Sequence, residues 1–184
     1  MRVDSVVPMS DQRPAVPMPA ANSFETLYRQ EFRAVVALAY VLSGSRAAAE
    51  ELAQDSFMAA HRRWDTISQY DDPTAWVRRV CANRSTSLVR RRTSEAKALA
   101  RVAGRRVLPD ELPPDAAAFW ERVRRLPKRQ AQVVALHYLD DLAVADIAEV
   151  LQCAEGTVKV HLHRARKTLA AELQCELAGG EEDE

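Results

Sequence analysis

The 184-residue chain has little cysteine, no excess of charge of either sign and no long hydrophobic run. Its three cysteines, Cys81, Cys153 and Cys175, are odd in number and far apart, and they lack the paired spacing of a disulfide framework or a zinc site. His161 and His163 are two residues apart, which places their side chains about 200° apart around a helix. We therefore expect no metal site and no cofactor.

The longest apolar run, Ala34 to Leu42, is far shorter than the roughly 18 residues that suggest a membrane span. The first 22 residues contain several prolines and no sustained apolar segment, which does not match a secretory signal. We expect a disordered extension over residues 1–22, no membrane insertion, and a cytoplasmic location.

The zero net charge conceals an uneven distribution along the chain. Residues 76–106 contain ten Lys and Arg residues and one acid, Glu95, whereas residues 174–184 form an acidic tail with five acids. A polyanion would meet the basic stretch as a local patch, which raises encounter rates. The alternative is a helix with a solvated basic side.

Apolar residues recur at helical spacing throughout, and no strand pattern competes with them. The sequence predicts an all-α fold of two small helical domains, residues 23–92 and 118–173, joined by a flexible linker over residues 93–117 that is rich in proline and charge. In the first domain we expect helices from an Asn22 cap to Ser43, from Ser45 to Trp64, and from Thr74 or Pro73 to Arg92. A polar loop would separate the last two.

The second domain contains the pattern of a helix-turn-helix. Two apolar stripes flank a turn at residues 152–154, and they consist of Val144, Ile147, Ala148 and Leu151, followed by Val158, Leu162, Ala165 and Leu169. The outward face of the second helix holds Gly156, Thr157, Lys159, Val160, His163, Arg164 and Lys167. Small residues at its start allow close approach to base edges, and the later cations reach phosphates. The alternative is an ordinary surface helix.

The third predicted helix carries a second candidate nucleic-acid site. Trp76, Arg79 and Asn83 lie at i, i+3 and i+7, so an indole, a guanidinium and an amide share one face. Aromatic rings stack on unpaired bases, and Asn and Arg bind base edges or phosphates. The basic run from Arg90 to Arg92 would hold the backbone nearby. The alternative, which the sequence supports equally well, is that Trp76 is a residue of the hydrophobic core.

Taken together, these segments resemble an extracytoplasmic-function (ECF) sigma factor, the minimal two-domain sigma subunit of bacterial RNA polymerase. The resemblance covers residues 23–172. It is carried by EELAQDSF at residues 50–57, PTAWVRRVCANRSTSLVRRR at 73–92, LPKRQAQVVALHYLDDLAVADIAEVL at 126–151, and EGTVKVHLHRARKTL at 155–169.

The resemblance implies a specificity subunit that is not an enzyme. Its partners would be core RNA polymerase, through the clamp helices of the largest subunit and the flap of the second largest, together with promoter DNA and an anti-sigma factor. Contacts with the clamp helices would come from Glu51, Gln54, Asp55 and Met58.

The resemblance also assigns promoter contacts. The loop at residues 65–72 would trap a base of the minus-ten element with Trp76, Arg79 and Asn83, while Arg90 and Arg91 hold the strand. The minus-thirty-five contacts would be His137, Gly156, Thr157, Lys159, Val160, His163, Arg164 and Lys167. The linker would thread the polymerase.

Four residues depart from the pattern of the family. Gln152 and Ala154 replace a turn glycine and a capping serine, and Val160 and His161 replace a small polar residue and an arginine. These changes bear on which minus-thirty-five sequence is preferred. Two other functions compete: a stand-alone helix-turn-helix regulator of the LuxR type, and a helical adaptor with no role on DNA.

Overall fold

The computed structural model describes residues 23–98 and 114–179, with side chains described over residues 23–87 and 116–174. This part of the chain is helical, without a strand, which confirms the all-α prediction. Its helices are α1 (Phe24–Ser43), α2 (Arg46–His61), α3 (Trp64–Ile67), α4 (Pro73–Ala98), α5 (Pro114–Arg125), α6 (Lys128–Tyr138), α7 (Val144–Leu151) and α8 (Glu155–Gly179). We call α1–α4 the first lobe and α5–α8 the second lobe.

The ends of α1 are set by a hydroxyl and a glycine. The side chain of Ser23 accepts a hydrogen bond from the backbone N–H of Thr26 at 3.2 Å, so Ser23 is the N-cap and the prediction of Asn22 was wrong. Serine and asparagine cap helices equally well, so residue type alone could not choose between these neighbours. Gly44 ends the helix at φ 70°, a backbone conformation that favours glycine.

The predicted second helix is shorter than expected. It ends at His61 and not at Trp64, and Trp64 instead starts the single turn of α3 inside the predicted polar loop. Ile67 explains the turn, because its side chain is buried in the core. The side chain of Asp72 then caps α4 by accepting hydrogen bonds from the backbone N–H groups of Thr74 and Ala75. The helix begins at Pro73, one of the two predicted starts, and continues six residues past the predicted end at Arg92.

The helix-turn-helix has the predicted packing. Both apolar stripes face inward, and the buried members are Ile147, Ala148, Leu151, Val158, Leu162, Ala165 and Leu169. The turn between α7 and α8 places Gln152 at φ 50°, the left-handed conformation that favours glycine. The backbone N–H of Cys153 closes the turn on the carbonyl of Ala148 at 3.0 Å.

The two lobes pack against each other. Helix α4 contacts α6 and α7, and α1 contacts α5 and α6, so apolar residues of both lobes belong to one buried cluster. The sequence predicted two domains but gave no sign of this contact. The structure describes neither residues 99–113, which contain most of the predicted linker, nor residues 1–22 and 180–184. In the described ranges, no helix combines the length and apolar character of a membrane span.

Candidate nucleic-acid interface

The outward face of α8 is open to solvent. All seven residues predicted for it are exposed, namely Gly156, Thr157, Lys159, Val160, His163, Arg164 and Lys167. A Cβ added at Gly156 would meet no atom within 4 Å, so the outward face at the start of the helix is open at this residue. The nearest acid, Glu155, pairs with Lys159 at 3.4 Å, and both side chains are more than half exposed. The helix therefore presents small and cationic side chains with little competing negative charge.

His137 lies beside this face, half-buried on α6. Its Nδ1 is 3.1 Å from the carbonyl oxygen of Leu142, and its Nε2 is 3.3 Å from a guanidinium nitrogen of Arg166. Because a guanidinium can only donate, Nε2 is the acceptor and Nδ1 carries the proton in this arrangement. Arg166 also donates to the hydroxyl of Tyr138 at 2.8 Å. The sequence did not predict these contacts of Arg166, because helical spacing does not show which side chains of α6 lie against α8.

The two histidines of α8 have different surroundings. His163 is exposed, as predicted, whereas His161 is half-buried and its Nδ1 has no hydrogen-bond partner. Burial lowers the pKa of His161, and the nearby charges of Arg164 and Arg129 lower it further. Both effects favour the neutral form of His161. No cluster of three metal-ligating side chains occurs among the described residues.

The trio predicted on α4 is half-buried. The ring of Trp76 packs against the hydrophobic core, and Arg79 and Asn83 are also partly covered. The side-chain oxygen of Asn83 accepts a hydrogen bond from Gln132 of the second lobe at 3.1 Å. The backbone of Arg90 and Arg91 continues α4, but their side chains lie outside the described residues. Within the trio, the hydrogen bond of Asn83 thus reaches the second lobe.

A cavity of about 170 Å³ opens between the start of α1, α3 and the start of α4, beside the predicted base-trapping loop. Trp64 gives it an aromatic wall, while Ser68 and Gln30 supply polar groups. The remaining lining residues are Ser23, Thr26, Leu27, Pro73 and Thr74. None of the α4 trio lines this cavity. The sequence did not predict this cavity, because residues 65–72 were predicted to form a polar loop without the turn of α3.

The predicted polymerase-binding residues form one exposed face of α2. Glu51, Gln54, Asp55 and Met58 are all exposed, and Met58 is 55% exposed although it is apolar. The carboxylate of Asp55 lies 3.3 Å from the guanidinium of Arg84 on α4. An exposed methionine surrounded by polar and acidic side chains is suited to a protein contact.

Both halves of the chain match known families. Sigma-70 region 2 matches residues 27–95, and Sigma-70, region 4 matches residues 116–169. The ECF RNA polymerase sigma factor SigW of Bacillus subtilis is 28% identical over 152 residues, which span 74% of this chain and 81% of SigW. The RNA polymerase sigma-E factor of Streptomyces antibioticus is 30% identical over 127 residues, which span 68% of this chain and 71% of that protein.

A solved structure shows the same fold. The sigma factor RpoE of Bartonella quintana, crystallised with the anti-sigma factor NepR, superimposes with a TM-score of 0.66 at 26% identity, covering 82% of this chain and 96% of RpoE. These similarities agree with the residues that suggested the family. The chain belongs to the ECF sigma factors, and it is a sigma factor of RNA polymerase that acts in transcription initiation.

Proposed function

We propose that this sigma factor binds core RNA polymerase through α2, reads the minus-thirty-five duplex with α8, and opens the minus-ten element with α4 and the adjoining loop. The observation that carries the proposal is the face of α8 from Gly156 to Lys167, which is exposed, cationic and narrow at its start. A helix of this shape can enter the major groove, where base pairs are distinguishable.

The minus-thirty-five contacts divide into two kinds. Gly156, Thr157 and Val160 stand near the start of α8, where close approach brings backbone and short side chains to base edges. Arg164 and Lys167, one and two turns further on, reach phosphates and fix the register. His137 lies at the side, where its ring is held by Leu142 and Arg166 and borders the same groove.

Minus-ten opening needs a place for an unpaired base and a grip on the strand. Trp76, Arg79 and Asn83 supply stacking and hydrogen-bonding groups on α4, and the cations of Arg90 and Arg91, later in the same helix, would hold the strand. The cavity lined by Trp64 and Ser68 adjoins the loop and has both an aromatic wall and hydroxyl groups. Such a pocket stabilises a base taken out of the stack and thus favours the melted duplex.

Polymerase binding would use the α2 face. Met58 supplies apolar contact, and Glu51, Gln54 and Asp55 supply polar contacts at its rim. The clamp helices of the largest subunit would meet this face, and the flap of the second largest would meet the second lobe. An anti-sigma factor is a further partner, since RpoE of Bartonella quintana was crystallised with one. The protein would act in the cytoplasm and would not be an enzyme.

Reconstitution with core RNA polymerase tests the proposal. Purified protein should direct core enzyme to start sites mapped after its overexpression, and core enzyme alone should not use them. Trp76→Ala should impair opening of linear duplex and should be rescued by a template premelted around the minus-ten element, because the unstacking cost is then already met.

Two results would count against the proposal. Tight, sequence-specific duplex binding with no effect of polymerase would instead indicate a stand-alone regulator. A Trp76→Ala protein that stays inactive on premelted template would assign Trp76 to packing alone.

A further inference from the structure

Val160 stands at the centre of the outward face of α8. It is an apolar residue, yet it is 46% exposed. At about 100° per residue, Val160 lies opposite the buried stripe that ends at Leu169, and Gly156, His163 and Arg164 lie within about 60° of it around the helix. The side chain of Val160 therefore points directly away from the core of the second lobe.

Val160 also lies at the position along α8 where a recognition helix reads bases. The helix starts at Glu155, so Val160 is about 7.5 Å along the axis at 1.5 Å per residue. In helix-turn-helix proteins, the N-terminal residues of the second helix contact base edges in the major groove. Gly156, one turn earlier, has no side chain that would hold the helix away from the floor of the groove. The short side chain of Val160 can therefore reach the base edges.

The residues around Val160 on this face do not form an apolar patch. Thr157 precedes it by three positions, His163 and Arg164 follow it by three and four positions, and all three are exposed. Apolar surfaces that bind proteins are contiguous patches of several hundred Å², and one valine among polar and cationic side chains is not such a patch. These surroundings suit a single apolar contact inside a polar groove.

The side chain of valine has no hydrogen-bond donor or acceptor, so it can read only an apolar group. In the major groove, guanine and adenine present an N7 acceptor with a carbonyl or an amino group, cytosine presents an amino group, and only thymine presents a methyl group. A valine against a polar base edge would displace water and give no hydrogen bond in return, which is costly. Against a thymine methyl group, the two apolar surfaces are buried together, which is favourable.

We propose that Val160 is a specificity-determining residue that contacts the methyl group of one thymine in the minus-thirty-five element. In a helix, valine strongly prefers one χ1 rotamer, so its two methyl groups are already oriented before the duplex binds. Val160 thereby favours a T·A pair at one position of the element. This inference rests on the proposed function and deepens it, because it names the base that one residue of α8 selects.

Uracil substitution tests the contact, because uracil differs from thymine only in lacking the methyl group. Holoenzyme formed from core RNA polymerase and the full chain first selects duplexes from a pool that is randomised over the minus-thirty-five element of a promoter mapped after overexpression. Each thymine of the selected element is then replaced in turn by uracil. At one thymine the affinity of wild-type holoenzyme should fall roughly fourfold, which corresponds to the burial of one methylene-sized group.

Variants of the chain assign the methyl contact to Val160. Holoenzyme with Val160→Ser should bind the thymine and uracil duplexes equally, and Val160→Thr, which exchanges one methyl group for a hydroxyl at nearly the same shape, should show a smaller difference than wild type. Leu173→Ser is the matched control, because it replaces an apolar residue of α8 that is 44% exposed and lies about 140° from Val160 around the helix. It should keep the fourfold difference of wild type.

The outcomes separate this inference from the proposed function. A selected element without thymine, an element in which no uracil weakens wild-type binding, or a methyl effect of full size in Val160→Ser would overturn the inference and leave the proposed function intact. If the holoenzyme selects no minus-thirty-five sequence at all, the proposed function fails and this inference fails with it.

Discussion

Arg78 lies between two carboxylates that belong to different lobes: its guanidinium is 2.9 Å from Glu31 on α1 and 3.1 Å from Asp140 in the segment after α6. Burial raises the pKa of Asp140, the charge of Arg78 and its hydrogen bond lower it, and the nearby Glu31 raises it. The net effect is a raised pKa. The closed form, in which the two lobes are in contact, therefore takes up a proton on Asp140 more readily than an open form, in which the lobes are apart and Asp140 is solvated.

Replacement of Arg78 should make lobe closure depend on pH. In Arg78→Met the two influences that lower the pKa of Asp140 are gone, so its pKa rises further and an ionised Asp140 is penalised in the closed form. We expect the free energy that favours the closed form to fall at pH 7 by about 1.5–3 kcal/mol, which is the usual contribution of a hydrogen bond to a charged group. It should recover as the pH falls through the raised pKa, where Asp140 is neutral.

Scattering at neutral and mildly acidic pH would measure this change. Arg78→Lys, which keeps the charge, should stay closer to wild type across the same range. An Arg78→Met protein that is equally expanded at both pH values, or never expanded, would contradict the prediction.

The turn between α7 and α8 predicts a stabilising substitution. Gln152 has φ 50°, and a side chain in the left-handed region costs about 1–2 kcal/mol that glycine does not incur. Gln152→Gly should therefore raise the free energy of unfolding by about 1 kcal/mol, after the greater entropy of unfolded glycine is counted. Urea unfolding checks this, with Gln152→Ala as the control that should show no such gain. Equal stability of the glycine and alanine variants would show that the turn is unstrained.

Helical periodicity was a reliable guide to the elements and to the inward faces of α7 and α8. A buried face needs apolar residues every three or four positions, and that requirement is visible in the sequence. The short α3 was missed because one turn is too brief for a period, and only the burial of Ile67 explains it. Sequence reasoning found the exposed residues of α8 for the same reason that it found the core, since the two faces are opposite.

The contact between the lobes was not predictable in this way. Gln132 looks like a polar residue on the edge of an amphipathic helix, and Arg78 like one of many cations on α4. Their partners Asn83 and Asp140 are 49 and 62 residues away along the chain. Spacing within one helix carries no information on such pairs. Likewise, the half-burial of Trp76 depends on packing between helices and not on the trio's own spacing.

The cations of α8 predict the salt dependence of duplex binding. Lys159 and Arg164 are exposed, and Lys159 has only one partner within its own helix, Glu155. If each contacts a phosphate, Lys159→Ala and Arg164→Ala should each reduce the slope of log affinity against log salt by about one. Holoenzyme binding to the minus-thirty-five duplex, measured over a range of salt, checks this. Arg46→Ala, an exposed cation on α2, is the control that should leave the slope unchanged.

Gly156 allows the shape of the recognition helix to be tested apart from its stability. A Cβ at this position would stand in open solvent, and alanine has a higher helix propensity than glycine by up to about 1 kcal/mol. Gly156→Ala should therefore leave the free energy of unfolding unchanged or slightly raised. If the start of α8 enters the groove, the same methyl group should weaken binding to the minus-thirty-five duplex at every salt concentration, because it meets base edges and not phosphates. Thermal unfolding and duplex binding by the holoenzyme separate the two effects. Duplex affinity equal to wild type would show that the start of α8 stays outside the groove.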